Sequence, residues 1–181
     1  GLLDSSIEIS RQFIDKGIIV STLSKNGLKV VKKANGSAIT KKPLVVLVNE
    51  GSASASEILS GAIRDNQRGK LVGKKTFGKG LVQSMRTLID GSGLTVTVAK
   101  YLTPNGTDIN KFGITPDLEV NMNLTPILPE QIGTRRDKQY KAGENLLLKA
   151  IKEQNSFKSY LPDINKFRVR SKKGSNVKYV L

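Results

Sequence analysis

The feature that most constrains this chain is a change of periodicity near residue 50. Residues 43–49, PLVVLVN, are continuously apolar, as a strand buried on both faces would be. They run through the small residues GSASA into SEILSGAIRDNQ, where Ile58, Leu59, Ala62 and Ile63 form one helical stripe. Whatever sits at the junction stands at a helix start, beside main-chain N–H groups that lack partners within the helix.

The flanking segments extend this unit. SSIEISRQFIDK, 5–16, carries Ile7, Ile9, Phe13 and Ile14 at mostly helical spacing, and Gly17 reads as its C-cap. GIIVSTL follows as a β-branched strand, and KNGLKVVKKANGSAI reads as a hairpin with two Asn-Gly turns. KLVGK is a short strand; LVQSMRTLI and GLTVTVAKYL are longer ones joined by Asp90-Gly91-Ser92-Gly93. A loop-rich stretch then ends in a final short strand, and DKQYKAGENLLLKAIKEQ is a helix. The order predicts an α/β domain with a mixed sheet over residues 1–154, and a basic, loosely packed tail over 155–181.

Composition narrows the chemistry. The chain has no cysteine and no histidine, which excludes disulfides, thiolate metal sites and the commonest general base. No metal or cofactor is expected. Thirty Lys and Arg against 15 Asp and Glu leave a net charge of +15, which favours an anionic partner such as a membrane surface. Nine aromatics and no Trp offer few platforms for base stacking, so specific nucleic-acid binding is not expected. No apolar run reaches the roughly 18 to 20 residues that span a bilayer. The abrupt start at Gly1, without Met or a signal-peptide pattern, reads as a fragment or processed form.

Three serines, Ser52, Ser54 and Ser56, alternate with alanines at the junction. Ser54-x-x-Glu57 matches a capping box, which accounts for Ser54 as a structural residue. The same position suits a nucleophile, with the Ala55 N–H as donor to a developing oxyanion. Both readings stand on pattern alone. Lacking histidine, a nucleophilic serine needs another base, and Lys79 lies between Gly78 and Gly80 in GKKTFGKG. A lysine with reference pKa of about 10.4 becomes a base only where burial lowers it. Phe77, Leu81 and Val82 would supply apolar surroundings, and Gln83 could hold the amine. A solvated loop lysine is the competing reading. Taken literally, 73–79 also matches G-x-x-x-x-G-K, but Gly80 replaces the magnesium-binding hydroxyl and a strand follows instead of a helix.

Together, VNEGSASASEILSGAIRDNQRGKLVGKKTFGKGLVQS and VTVAKYLTPNGTDINKFGITPDLEV resemble the carboxyl-terminal processing proteases, the serine–lysine peptidases that include the tail-specific proteases. The wording of DGSGLTVTVAKYLTPNGTDIN is most similar to the cyanobacterial and plastid branch, and residues 1–120 carry the resemblance. It implies a crotonase-like α/β core, here a partial domain, with Ser54 as nucleophile, Lys79 as base and Gln83 as its support. It further implies oxyanion donors at Ala55 and the turn at or before Gly1, with Glu57 and Asp65 supporting. A preceding PDZ module, a protein C-terminus as substrate (in that branch a photosystem II reaction-centre subunit) and an exported enzyme of the periplasm or thylakoid lumen are likewise implied. The competing expectation from another class is a catalytically silent basic module that docks an acidic protein, a membrane or nucleic acid.

Overall fold

The computed structural model describes residues 1–121 and 128–160, with the side chains of its last helix as far as Gln154. Helix α1 (Leu3–Phe13) leads into β1 (Ile18–Ser24) and β2 (Lys29–Lys33). Then β3 (Val45–Val48), α2 (Ala55–Asp65) and β4 (Lys70–Gly73) form a strand–helix–strand unit. The chain continues through β5 (Leu81–Thr87), β6 (Gly93–Leu102) and β7 (Leu118–Glu119) to α3 (Lys138–Tyr160). Among the described residues no helix is long and apolar enough to cross a membrane.

The architecture is α/β, but the strands divide into two sheets where one mixed sheet was expected. The first is antiparallel, in the order β2-β1-β6-β5; the second is parallel, in the order β3-β4-β7. Connection length explains the pairs consecutive in sequence, β1–β2, β5–β6 and β3–β4. Short turns return the chain antiparallel, whereas a crossover through α2 returns it in the same direction. Asn26-Gly27 closes the β1–β2 hairpin, with Leu23 opposite Lys29. The second Asn-Gly pair is no hairpin turn: Gly36 N–H donates to Asp15 O at 3.0 Å and leads the chain back to α1.

Helix α2 joins the layers, packing against α1, β1 and β4. Its predicted stripe is correct, since Ile58, Ala62 and Ile63 are buried with Ile7, Ile19 and Leu71. Each large aliphatic so placed contributes roughly 1.5 to 3 kcal/mol.

Three local expectations need correction. Helix α1 ends at Phe13 with Ile14 already extended, so Gly17 is not its cap. Gly17 has φ +118 and faces the Asn66 side-chain oxygen, which occupies the space a β-carbon would take. The Asn66 amide donates to Ile18 O and Ala62 O, both at 2.8 Å, and ties α2 to β1. Strand β3 is an edge of its sheet among the described residues, with Leu47 40% exposed, so it is not buried on both faces. Helix α3 covers it only in part, with Gly143 seated against Val45 and Leu47. Finally, α3 continues past residue 154 to Tyr160. The remainder of the predicted tail, 161–181, lies outside the described residues.

Candidate active site

Strand β3 delivers the chain into a turn that its own side chains close. Asn49 N–H donates to Ser52 Oγ at 3.1 Å, and Gly51 N–H to Asn49 Oδ1 at 2.9 Å. Ser52 is thus a turn residue, and Ser56 is exposed on the helix. Ser54 differs from both. It has φ 55 and ψ −113, a conformation rarely tolerated by a residue with a β-carbon. Such local strain concentrates at functional positions, and a serine on a sharp strand-to-helix turn is one recurrent form of it.

Only one half of the expected capping box forms. The Ser54 N–H donates to Glu57 Oε2 at 3.0 Å, but the Glu57 N–H donates to Ser54 O at 2.9 Å and leaves the hydroxyl uncommitted. The Ala55 N–H, at the first helical position, has no acceptor among the described residues. Gly1 stands beside it: a β-carbon at Gly1 would lie 3.0 Å from Ala55 Cβ. The two predicted oxyanion residues are neighbours.

Glu57 proves to be the centre of the arrangement. It is 0% exposed and accepts four hydrogen bonds. Oε1 receives Thr76 Oγ1 at 2.5 Å and Gly78 N–H at 2.7 Å. Oε2 receives the N–H groups of Ser54 and Lys79 at 3.0 and 2.9 Å. Those two nitrogens are therefore no more than about 6 Å apart, although 25 residues separate them in sequence. Burying a carboxylate requires this degree of hydrogen bonding. A second strut runs from Phe77 N–H to Ser52 O at 3.0 Å.

The glycines flanking Lys79 are explained by close backbone approach. Gly78 has φ +89, and a β-carbon there would sit 2.8 Å from Gly113 N. At Gly80 it would sit 2.6 Å from Asn110 N. The lysine loop therefore lies directly on the 109–113 turn, and Lys111 N–H donates to Gly78 O at 2.8 Å. That turn is braced by Asp108, which pairs with Lys100 at 2.9 Å and accepts the Asn110 N–H at 2.9 Å. Partial burial opposes ionisation of Asp108, yet the Lys100 and Asn110 hydrogen bonds and the Lys100 charge outweigh it and hold the carboxyl below its usual range.

The apolar surroundings expected for Lys79 are not formed within these residues. Lys79 is exposed, Phe77 is 65% exposed, and Leu81 and Val82 are half-buried. Burial alternates along Thr76–Gly80, with Thr76, Gly78 and Gly80 inward and Phe77 and Lys79 outward. Gln83 is also exposed and its amide has no partner among the described residues. Lys79 lies ahead of β5, and the pairing with β6 shifts between Val82 and Gln83, so simple alternation does not carry Gln83 to the amine. No hydrogen bond joins Ser54 Oγ to Lys79 Nζ. The two main chains share an acceptor; the two side chains share no hydrogen bond.

Asp65 serves elsewhere. Its carboxylate is 3% exposed, contacts Arg64 at 3.3 Å and accepts the Asn105 N–H at 3.1 Å, tying the 103–107 loop to α2. Thr76 is the residue missed from the sequence. Its signal was the alternation of small residues with Phe77 and Lys79 in TFGKG.

The family model for peptidase family S41 matches residues 1–120. The chain belongs to this family. The carboxyl-terminal-processing protease of Synechocystis sp. is 52% identical over 147 residues, covering 81% of this chain and 34% of that protein. The chloroplastic C-terminal processing peptidase of Tetradesmus obliquus is 46% identical over 127 residues, 70% of this chain and 27% of the relative. A solved photosystem II D1 C-terminal processing protease superposes with a TM-score of 0.67 at 42% identity, over 77% of this chain and 37% of that one. The chain thus spans about a third of the length of these S41 relatives. The resemblance read from the serine and lysine segments is correct, and the glycines and acids that build the Glu57 clamp lie within the matched residues.

Proposed function

We propose that these residues form the nucleophile-bearing part of a serine–lysine endopeptidase that removes C-terminal extensions from protein precursors. The observation that supports this most is the shared acceptor, Glu57 Oε2, which holds the Ser54 and Lys79 main chains within reach of a lysine side chain. Ser54 Oγ attacks the scissile carbonyl as Lys79 Nζ takes its proton. The free Ala55 N–H, with a donor at or before Gly1, receives the tetrahedral oxyanion. Lys79 then returns the proton to the leaving amine, and later activates the water that releases the acyl-enzyme.

Lys79 is exposed in these residues, so the enclosure this role needs must come from surfaces that cover it in the working enzyme. Substrate and the remainder of a polypeptide as long as the S41 relatives are the natural cover, and Gln83 would gain its partner in the same step. A crotonase-like core, a preceding PDZ module, export to the periplasm or thylakoid lumen and a photosystem II subunit as substrate belong to the same proposal, which the kinship supports. The strong positive charge adds attraction to an anionic membrane surface.

The experiment is direct: in the full-length polypeptide, Ser54→Ala and Lys79→Ala each abolish peptide cleavage while leaving thermal unfolding unchanged. Retained cleavage by either variant refutes the assignment. The exposure of Lys79 favours the second reading, a catalytically silent basic module. Salt-sensitive binding to anionic vesicles, with no cleavage by the parent protein, would establish that reading instead.

A further inference from the structure

We propose that Thr76 is a positioning residue for this reaction, acting through Glu57; the proposal rests on the Ser54–Lys79 reading above. Thr76 is 5% exposed and touches neither Ser54 nor Lys79 by any hydrogen bond. Its single hydroxyl hydrogen goes to Glu57 Oε1 at 2.5 Å, and its oxygen accepts the Ile114 N–H at 2.7 Å. The Thr76 N–H donates to Ile114 O at 3.1 Å, so the residue is pinned to the 109–114 turn on both sides. Gly113 packs so tightly on the Thr76 carbonyl that a β-carbon there would collide with it.

A carboxylate can rotate, and its donors set its plane. Three of the four donors to Glu57 are main-chain groups of the segments it must align: Ser54, Gly78 and Lys79. Thr76 Oγ1 is the fourth and the one side-chain donor, and its oxygen is itself braced by the Ile114 N–H. Without it the carboxylate keeps only main-chain donors from the segments it is meant to align. Its orientation, and the separation of the Ser54 and Lys79 main chains, would then loosen together. Misplacement on the scale of 1 Å costs rate far more than it costs binding.

The test uses the full-length enzyme and a peptide ending in a removable C-terminal extension, with kcat and KM measured separately. Thr76→Ser keeps the hydroxyl and holds kcat within about threefold of the parent, while Thr76→Val lowers kcat by about tenfold or more with KM unchanged. In a Glu57→Gln background the same valine lowers kcat by less than about threefold, because its route is already broken. Thermal unfolding of each variant accompanies the kinetics. Where the valine variant does not fold, Thr76→Ala is read in the same way. A valine or alanine variant with parental kcat overturns the proposal, and so does an undiminished loss in the Glu57→Gln background. A Ser54→Ala enzyme that still cleaves overturns the underlying assignment, a result distinguishable from any outcome at Thr76.

Discussion

The N–H groups of Ser54 and Lys79 donate to the same carboxylate oxygen, Oε2 of Glu57, at 3.0 and 2.9 Å. A buried side chain thus joins the strand-to-helix turn to the lysine loop. It cannot be turned without disturbing both.

Glu57→Gln keeps the size of the side chain but replaces one acceptor oxygen with an NH₂ donor. Whichever way the amide faces, it meets N–H groups or the Thr76 hydroxyl. The loss expected is about 1 to 3 kcal/mol of stability and about 10- to 100-fold in kcat, the range for a displaced catalytic pair. Chemical denaturation and steady-state kinetics measure the two. Parental values for both would show that the clamp is passive.

Ser54→Gly separates stability from function. Glycine adopts φ 55 without strain, which outweighs its own entropic cost, so unfolding should shift up by about 1 kcal/mol. If Ser54 is the nucleophile as proposed, cleavage disappears with the hydroxyl. A glycine variant less stable than the parent would mean that the turn is not strained at this position.

Gly80→Ala tests the seating of the lysine loop. The added methyl would lie 2.6 Å from Asn110 N, in backbone that cannot swing aside as a flexible side chain would. Expected are a destabilisation of about 1 to 3 kcal/mol and loss of most activity, because Lys79 moves with the loop. Gly91→Ala is the control for glycine loss in general, since open space surrounds Gly91 even though its φ of +83 carries some strain. Equal kinetic losses in the two would rule out a role for the Gly80 contact.

Burial raises the Tyr101 phenol above its ordinary pKa. A raised acid stays protonated in the folded chain after it has ionised in the unfolded one. Stability from this group is therefore complete below about pH 10 and is lost as pH climbs toward the folded value. Tyr101→Phe should flatten the alkaline side of a stability–pH curve relative to the parent. Curves that run parallel above pH 10 would contradict the shift.

The local elements were readable because their causes are local. The stripe Ile58, Leu59, Ala62 and Ile63 follows from 3.6-residue geometry, and the hairpin turns follow from glycines at positive φ. Gly17 misled because positive φ serves a helix cap and a close side-chain contact alike, and only the position of Asn66 distinguishes them. Continuous apolarity at Val45–Val48 suggested two covered faces, but covering depends on where α3 lies, some 90 residues further along the chain.

Sequence by itself determined that a serine stands at a helix start, that a lysine lies between two glycines, and that the chain is kin to the S41 peptidases. Those facts reside in residue identity and spacing. Tertiary structure decided that Ser54 Oγ is left free of its cap, that Glu57 reaches across to Gly78 and Lys79, and that Thr76 is braced by Ile114. It also decided that Lys79 is exposed rather than enclosed. Hydrogen-bond partners and burial are set by what packs against a residue, and here the partners come from segments 20 to 40 residues away.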